Sequence, residues 1–199
     1  MNAQSVLDIA RADIGYTERP ANSNMTKYGE WYGLNGQPWC MMAVQYWFDQ
    51  SGVPLPLKTA SCTAFMRACE SFVTDYKPGD IILFSFDGGR DADHVGICES
   101  YDGSLITTID GNTAVGNDAN GGAVMRRTRN TSTIVAAYRP AYKEEKMEQD
   151  NIPAEWAKEA VEWAVAEGLM KGDQYGNLKL HENVTREQLC VFLYRCFNS

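Results

Sequence analysis

The sequence predicts an α+β domain followed by a small all-α module, and three observations indicate this arrangement. Apolar residues recur at helical spacing early in the chain, and the period changes to two after Pro78 and Gly79. Residues 143–151 are charged and aperiodic, which is typical of a linker. Helical spacing then returns. We therefore expect a larger domain over residues 1–142, a linker over 143–151 and a helical module over 152–199.

Three helices are predicted ahead of the strands. They cover residues 5–14, residues 39–51 with Gly52 as the stop, and residues 60–72. Residues 16–38 are polar, aromatic and rich in glycine without a sustained period, so we expect a long ordered loop there. Loops of that length inside a domain are usually functional.

Strands and the last helices follow from the same patterns. Alternating runs bounded by Gly, Asp and Asn predict strands over residues 80–86, 93–101, 104–109, 123–128 and 134–139. In the module, one helix is expected over residues 153–167. A capping-box pattern at Thr185 predicts the start of another.

Composition and charge restrict the partners of the protein. Its 199 residues are 44% hydrophobic and 22% charged, as in ordinary globular proteins. The net charge of −8 argues against a nucleic-acid partner held by phosphate contacts. No apolar run reaches the roughly 18 residues of a membrane helix, and the start of the chain lacks the features of a signal peptide. We expect no membrane insertion, synthesis in a cytoplasm, and free thiols at the six cysteines.

One cysteine and one histidine stand out as candidates for catalysis. His94 is the only histidine of the larger domain, so it is the one imidazole available there as a general base. Cys40 lies at the start of a predicted helix, where unpaired backbone N–H groups favour a thiolate. Gly96, on the same strand face as His94, leaves room beside the imidazole. The alternative is that Cys40 only packs, as we interpret the other five cysteines.

The strand register predicts which group orients the imidazole. A two-residue turn would put Asp110 opposite Val95, whereas a three-residue loop at residues 101–103 puts Asp110 directly opposite His94. We predict the second register. It makes Asp110 the orienting group, with Asn112 as the alternative from the strand end.

A thiolate, an imidazole and an orienting group are what covalent acyl transfer needs. Backbone amides around Cys40 are candidates for stabilising the oxyanion, and the Gln37 side chain is a weaker one. Residues 22–39 offer only Glu30 as a carboxylate, so we predict no metal and no cofactor.

Four stretches of the larger domain resemble the CHAP family, the cysteine, histidine-dependent amidohydrolases/peptidases of phage endolysins and bacterial autolysins. These stretches are residues 28–48, 78–84, 93–97 and 110–112. The resemblance implies a papain-like α+β fold and cleavage of an amide bond in peptidoglycan, either the N-acetylmuramoyl-L-alanine link or a peptide bond. It also implies Cys40 as nucleophile and His94 as base. Asp110 lies where many members carry Glu, and Asn112 follows two residues later.

Side chains ahead of Cys40 are candidates for binding the substrate. Glu18 is a candidate for an amine of the stem peptide, with a solvated surface carboxylate as the alternative. Four aromatic residues are candidates for lining the cleft: Tyr28, Trp31, Tyr32 and Trp39. For Trp31 and Tyr32, plain packing is the alternative.

The helical module resembles a single S-layer homology repeat, which implies binding to cell-wall polymers. The positions carried over from that family are Trp156, Gly172, Thr185 and Arg186. A module of this size has a thin core of its own, so we expect its apolar stripe to pack on a second copy or on the larger domain. Self-association into a homo-oligomer through the module is therefore a hypothesis.

The sequence thus predicts a peptidoglycan hydrolase of the endolysin type. We expect it to be made in the bacterial host cytoplasm without a signal peptide and to act on the wall after release. Two alternatives stay open: a wall-binding or structural protein without catalysis, and a cysteine acyltransferase or deamidase on the same fold.

Overall fold

The computed structural model describes residues 2–118, 120–142, 150–173 and 176–197. The chain divides into two compact units, Met1–Glu145 and Lys146–Ser199. Most of the predicted linker lies outside the described residues, so the predicted domain limits stay a prediction.

Four helices precede the sheet of the first unit: α1 (Ala3–Ala12), α2 (Lys27–Tyr32), α3 (Cys40–Ser51) and α4 (Cys62–Ala68). Helix α1 begins earlier than expected because the Asn2 side chain accepts a hydrogen bond from the Ser5 backbone N–H. Helix α3 ends at Gly52 in the left-handed conformation, as predicted. Helix α4 is shorter than expected and begins after Ser61, whose side chain caps it.

Helix α2 lies inside the segment that we expected to be a loop. The Thr26 side chain accepts a hydrogen bond from the Gly29 N–H and begins the helix, and Gly33 ends it in the left-handed conformation. Caps at both ends therefore define this six-residue helix, which is too short to show an apolar period.

Five antiparallel strands form one sheet in the order β4-β3-β2-β1-β5, and the α+β class is confirmed. The strands are β1 (Ile81–Phe84), β2 (His94–Tyr101), β3 (Leu105–Thr113), β4 (Ala123–Asn130) and β5 (Ile134–Tyr138). Val95, Ile97 and Ile109 belong to the main core with apolar side chains of α1 and α3. Phe84 and Cys98 belong to a second, smaller cluster. The central strands β1 and β2 are thus buried on both faces of the sheet over most of their length.

The predicted register between β2 and β3 is wrong. Asp110 pairs with Gly96, not with His94. At the hairpin, Tyr101 pairs with Ile106, so four residues (102–105) connect the paired positions, which is longer than the two-residue turn and the three-residue loop that we considered.

A β-bulge at Glu99 decides which face Asp110 occupies. The register shifts between Cys98 and Ser100, which leaves Glu99 as the extra residue of β2. Without that shift, the hairpin register would set Asp110 opposite Ile97, on the other face of the sheet from His94. The bulge therefore returns Asp110 to the His94 face.

The second unit contains a short 3-10 helix (Glu155–Ala157), α5 (Lys158–Ala166) and α6 (Arg186–Phe197). Thr185 and Gln188 form the predicted capping box: the Gln188 N–H donates to Thr185 Oγ1 at 3.1 Å, and the Thr185 N–H donates to Gln188 Oε1 at 2.8 Å. Both expected helices are therefore present, although an all-α module stays a prediction for the whole segment. In the described part of the chain, no helix has the length and apolar character needed to cross a membrane.

Candidate active site

Cys40 is the first residue of α3, which packs on β2 and β3. Trp39 precedes it at the N-cap and makes no side-chain cap, so backbone N–H groups of the first turn lack that partner. The Met41 N–H lowers the pKa of the Cys40 thiol by hydrogen bonding to it. The helix start thus favours a thiolate at Cys40.

His94 and Asp110 form a buried pair. His94 Nε2 lies 3.0 Å from Asp110 Oδ2, and both side chains are fully buried. Gly96 makes this contact possible, because a Cβ at that position would overlap Asp110 Oδ1. The carboxylate therefore reaches the imidazole diagonally across the space that glycine leaves open.

Asp110 has two further partners, and the sequence analysis identified neither. Thr108 Oγ1 donates to Asp110 Oδ1 at 2.5 Å, and Arg129 Nη1 lies 2.9 Å from Asp110 Oδ2. The Arg129 guanidinium also lies 5.0 Å from the centre of the Phe84 ring and pairs with Asp118 at 2.6 Å. These contacts hold Asp110 in place and counter its charge. An arginine on a strand neighbouring the Asp110 strand was the signal available in the sequence.

Two opposing effects set the pKa of His94. Burial lowers it, whereas the hydrogen bond to Asp110, the neighbouring Cys40 thiol and the negative charges of both groups raise it, and the result is about 9. The second ring nitrogen, Nδ1, has no hydrogen-bond partner among the described residues. Because Nε2 contacts Asp110, Nδ1 is the nitrogen left to exchange a proton with the thiol or a substrate.

Cys62 lies beside Cys40 and was not recognised as part of the site. The two sulfur atoms are 3.7 Å apart, and both residues are buried. A hydrogen bond from Cys62 lowers the pKa of Cys40 well below its usual range; burial opposes this, and His94 adds to it. The same contact, together with burial, raises the pKa of Cys62. The directions of these shifts favour a Cys40 thiolate beside a protonated His94 and a protonated Cys62.

Asn112, the alternative orienting group, does not hold His94 Nε2. Its backbone is left-handed at a φ of 58°, and its side-chain Oδ1 accepts from the Gly122 N–H at 3.3 Å. The Asn112 carbonyl also accepts from the Gly121 N–H. Asn112 therefore contributes to the connection between β3 and β4, and Asp110 makes the contact to the imidazole.

Three of the proposed substrate-binding residues are packed inside the first unit. Tyr28 and Trp39 are fully buried with their rings stacked at 5.2 Å, so they form core and do not line a cleft. The Tyr28 hydroxyl donates to Asp13, and Trp39 Nε1 donates to Glu18 at 3.3 Å. Glu18 is only 8% exposed and also accepts from the Asn24 N–H, which ties down the segment before α2. The predictions for these three were wrong because ring packing and hydrogen bonds hold their side chains inside the first unit.

The other candidates ahead of Cys40 are more open. Trp31 and Tyr32 are half-buried, and the Lys58 ammonium lies 4.7 and 5.5 Å from their ring centres. Gln37 is exposed. A role for these residues in binding substrate or stabilising an oxyanion stays a prediction.

In the second unit, the four positions taken from the S-layer homology resemblance differ in exposure and in structural role. The Trp156 side chain is 90% exposed. Gly172 lies so close to Gly176 that a Cβ would sit 2.6 Å from its carbonyl carbon, and Thr185 caps α6, which begins at Arg186. Gly172 and Thr185 therefore shape the unit, whereas Trp156 and Arg186 are exposed to solvent.

A cysteine at a helix start, a buried histidine and an aspartate in contact with it are the groups that thiol-dependent acyl transfer requires. Residues 31–112 match the family model of the CHAP domain, and residues 149–190 match that of the S-layer homology domain. Both resemblances seen in the sequence are thereby confirmed. The first match contains Cys40, His94 and Asp110 and covers less than half of the chain.

A comparison with solved structures matches Ly7917, with 16% identity and a TM-score of 0.43 over 70% of this chain and 62% of that one. The wild type endolysin LysIME-EF1 gives 15% identity and a TM-score of 0.45 over 72% and 66% of the two chains. A Staphylococcus aureus subsp. aureus Mu50 protein described as similar to lipoprotein, NLP/P60 family, gives 16% and 0.41 over 71% and 42%. The comparison with curated proteins gives no match.

Proposed function

We propose that this protein hydrolyses amide bonds of bacterial peptidoglycan through a covalent thioester on Cys40, and that its second unit binds the cell wall. The observation that carries the proposal is the contact between His94 and Asp110 beside the Cys40 sulfur, inside the segment that matches the CHAP domain.

In the first step, the Cys40 thiolate attacks the carbonyl carbon of the substrate amide. A carbon–sulfur bond forms, and negative charge moves to the carbonyl oxygen. Backbone N–H groups at the start of α3 are candidates for stabilising that oxyanion. His94 Nδ1 then donates its proton to the departing amine, and the carbon–nitrogen bond breaks.

In the second step, water hydrolyses the thioester. Neutral His94 accepts a proton from the water as its oxygen attacks the thioester carbon, and the carbon–sulfur bond breaks. The product leaves as a carboxylic acid, and Cys40 returns to the thiolate beside a protonated imidazole. Asp110 keeps the ring oriented throughout, since Thr108 and Arg129 fix both of its oxygens.

The second unit supports delivery to the wall. It contains the S-layer homology match, and Trp156 presents an exposed indole for contact with a polymer. With a net charge of −8, the protein gains no general attraction to an anionic wall. Targeting therefore depends on specific contacts.

The test is clearance of purified cell walls by the full-length protein. We expect wild type and Cys69→Ala to clear walls and Cys40→Ala to be inert, because Cys69 is a half-buried thiol with no place in the proposed chemistry. Clearance by Cys40→Ala would overturn the mechanism. Mass spectrometry of the fragments identifies the bond: a free muramic lactyl carboxyl indicates an amidase, and new peptide termini indicate an endopeptidase. Transfer of the acyl group to an acceptor other than water would favour the acyltransferase alternative.

A further inference from the structure

The hydrolytic mechanism uses one thiol, yet the structure places two together. Cys40 begins α3 and Cys62 begins α4, and their sulfur atoms are 3.7 Å apart. Both are free cysteines that are 4% and 6% exposed. Neither peptide cleavage nor orientation of His94 requires a second sulfur at this position.

We propose that Cys40 and Cys62 form an oxidation site for hydrogen peroxide or another small hydroperoxide, which converts the nucleophile into a reversible Cys40–Cys62 disulfide. The disulfide removes the thiol that attacks the substrate. Reduction by a dithiol regenerates it.

The chemistry proceeds in two balanced steps. The Cys40 thiolate attacks one peroxide oxygen, a sulfur–oxygen bond forms and the oxygen–oxygen bond breaks, which gives a sulfenic acid. The hydroxide that leaves takes the proton of the His94 imidazolium and becomes water. Cys62 then attacks the Cys40 sulfur, its proton goes to the departing hydroxide, and a sulfur–sulfur bond replaces the sulfur–oxygen bond. Overall, two thiols and one hydrogen peroxide give one disulfide and two waters.

The two cysteines are suited to different steps. Cys40 reacts first, because the thiolate is the nucleophilic form and its pKa is lowered by Cys62 and His94. Cys62 stays protonated until the sulfenic acid forms and is already in contact with the sulfur that it must attack. A disulfide bond is about 2.05 Å long, so the two sulfurs have to approach by roughly 1.7 Å.

The other cysteines of the first unit lack this arrangement. Burial raises the pKa of Cys69 to about 11, and burial with the charge of Asp80 raises that of Cys98 to about 12. The Cys69 thiol donates to the Phe65 carbonyl and not to another sulfur. These thiols therefore serve as internal controls for selectivity.

The test combines peptide mapping with recovery of activity. The full-length protein carries Cys190→Ser and Cys196→Ser, which remove the two exposed thiols of α6 and prevent cross-links between molecules. It is treated with hydrogen peroxide at neutral pH, free thiols are alkylated, and the peptides are analysed by mass spectrometry. We expect a cross-linked peptide pair containing Cys40 and Cys62, two hydrogens lighter, while Cys69 and Cys98 are alkylated.

The matched variant is Cys62→Ser in the same background. Without Cys62 the sulfenic acid is not captured, so further peroxide takes Cys40 to the irreversible sulfinic and sulfonic acids. Dithiothreitol should restore wall clearance to the peroxide-treated parent and to a Cys98→Ser control, but not to Cys62→Ser. Circular dichroism verifies that Cys62→Ser is folded, and Cys62→Ala serves as a second variant.

Two results would overturn the proposal: an alkylated Cys62 in parent protein whose Cys40 is oxidised, or equal recovery of the parent and the Cys62 variants. The peptide map does not depend on the proposed hydrolysis. A protein that forms the disulfide but clears no wall contradicts the proposed function alone, and one that clears walls without forming the disulfide contradicts this proposal alone.

Discussion

Arg129 Nη1 and His94 Nε2 contact the same oxygen of Asp110, at 2.9 and 3.0 Å. The carboxylate therefore lies between two positive groups when the imidazole is protonated. Asp118 on the other side of Arg129 balances part of its charge. This chain of contacts extends the site beyond the cysteine and histidine and makes its pH response testable.

Replacement of Arg129 by Met should change both the rate and its pH dependence. Loss of a buried cation near His94 raises the pKa of the imidazolium, so the alkaline limb of kcat/KM should move to higher pH. Freed from one partner, Asp110 orients the ring less well, and we expect kcat to fall about tenfold, which is about 1.4 kcal/mol of barrier. Arg129→Lys should keep the alkaline limb near its original position.

Arg126→Met is the matched control for this experiment, because Arg126 lies on the same strand and pairs with Glu99 at the surface. It should leave the profile unchanged. A profile for Arg129→Met that overlies the wild type would show that Arg129 is only structural.

The wild-type pH profile follows from the two shifted groups. His94 has a pKa of about 9, and that of Cys40 is well below its usual range. The thiolate–imidazolium pair exists between these values, so kcat/KM on soluble muropeptides should be level near neutral pH and fall as pH rises through about 9, where His94 loses its proton. Cys40→Ala removes an anion beside the ring and should lower the pKa of His94 in an NMR titration. A decline centred below pH 7 would contradict the assignment.

Gly96→Ala should disable the site through one methyl group. The added Cβ would occupy the position of Asp110 Oδ1 and push the carboxylate away from His94. We expect kcat to fall by about 100-fold or more, together with a loss of about 1–3 kcal/mol in the free energy of unfolding from overpacking. Cys98→Ala, on the same buried strand face, is the control and should keep most activity. Full activity in Gly96→Ala would show that the Asp110 contact is dispensable.

Trp156→Ala should separate wall binding from catalysis. Because the indole is 90% exposed, its removal should leave the melting temperature unchanged. We expect weaker binding to whole walls in a sedimentation assay and unchanged cleavage of soluble muropeptides. Ile152→Ala, another exposed apolar residue of the second unit, is the comparison. Equal wall binding by both variants and the wild type would remove Trp156 from the binding surface.

Helix α6 exposes an apolar stripe, and we expect this stripe to promote self-association. Its exposed residues include Leu189, Leu193 and Phe197. We expect a concentration-dependent oligomer in sedimentation velocity at micromolar concentrations, and Leu193→Lys should shift it to the monomer. A wild-type monomer throughout that range would contradict the hypothesis.

The sequence predicted the helices and strands that have a sustained apolar period or a residue that clearly ends them. Helix α3 has a sustained apolar period and Gly52 at its end, and the strands alternate between turn residues. Helix α2 has neither feature and depends on its two caps, so the period alone did not reveal it.

The contact between His94 and Asp110 was predicted from the sequence, but the strand register behind that prediction was wrong. Its register depends on the bulge at Glu99, and no local pattern marks that extra residue. Arg129 and Cys62 were missed because their contacts with the site join distant parts of the chain, which spacing along the sequence does not reveal. The sequence thus indicated Cys40 and His94 as candidates, and the structure added Arg129 and Cys62 as groups in contact with the candidate site.

The covalent intermediate is detected most directly by mass spectrometry of the protein quenched in acid during turnover of a soluble muropeptide. We expect a peptide containing Cys40 that carries the acyl part of the substrate as a thioester, and no such mass in Cys40→Ala. Sustained turnover with Cys40 unmodified at every time point, and equal turnover by Cys40→Ala, would rule out the proposed thioester.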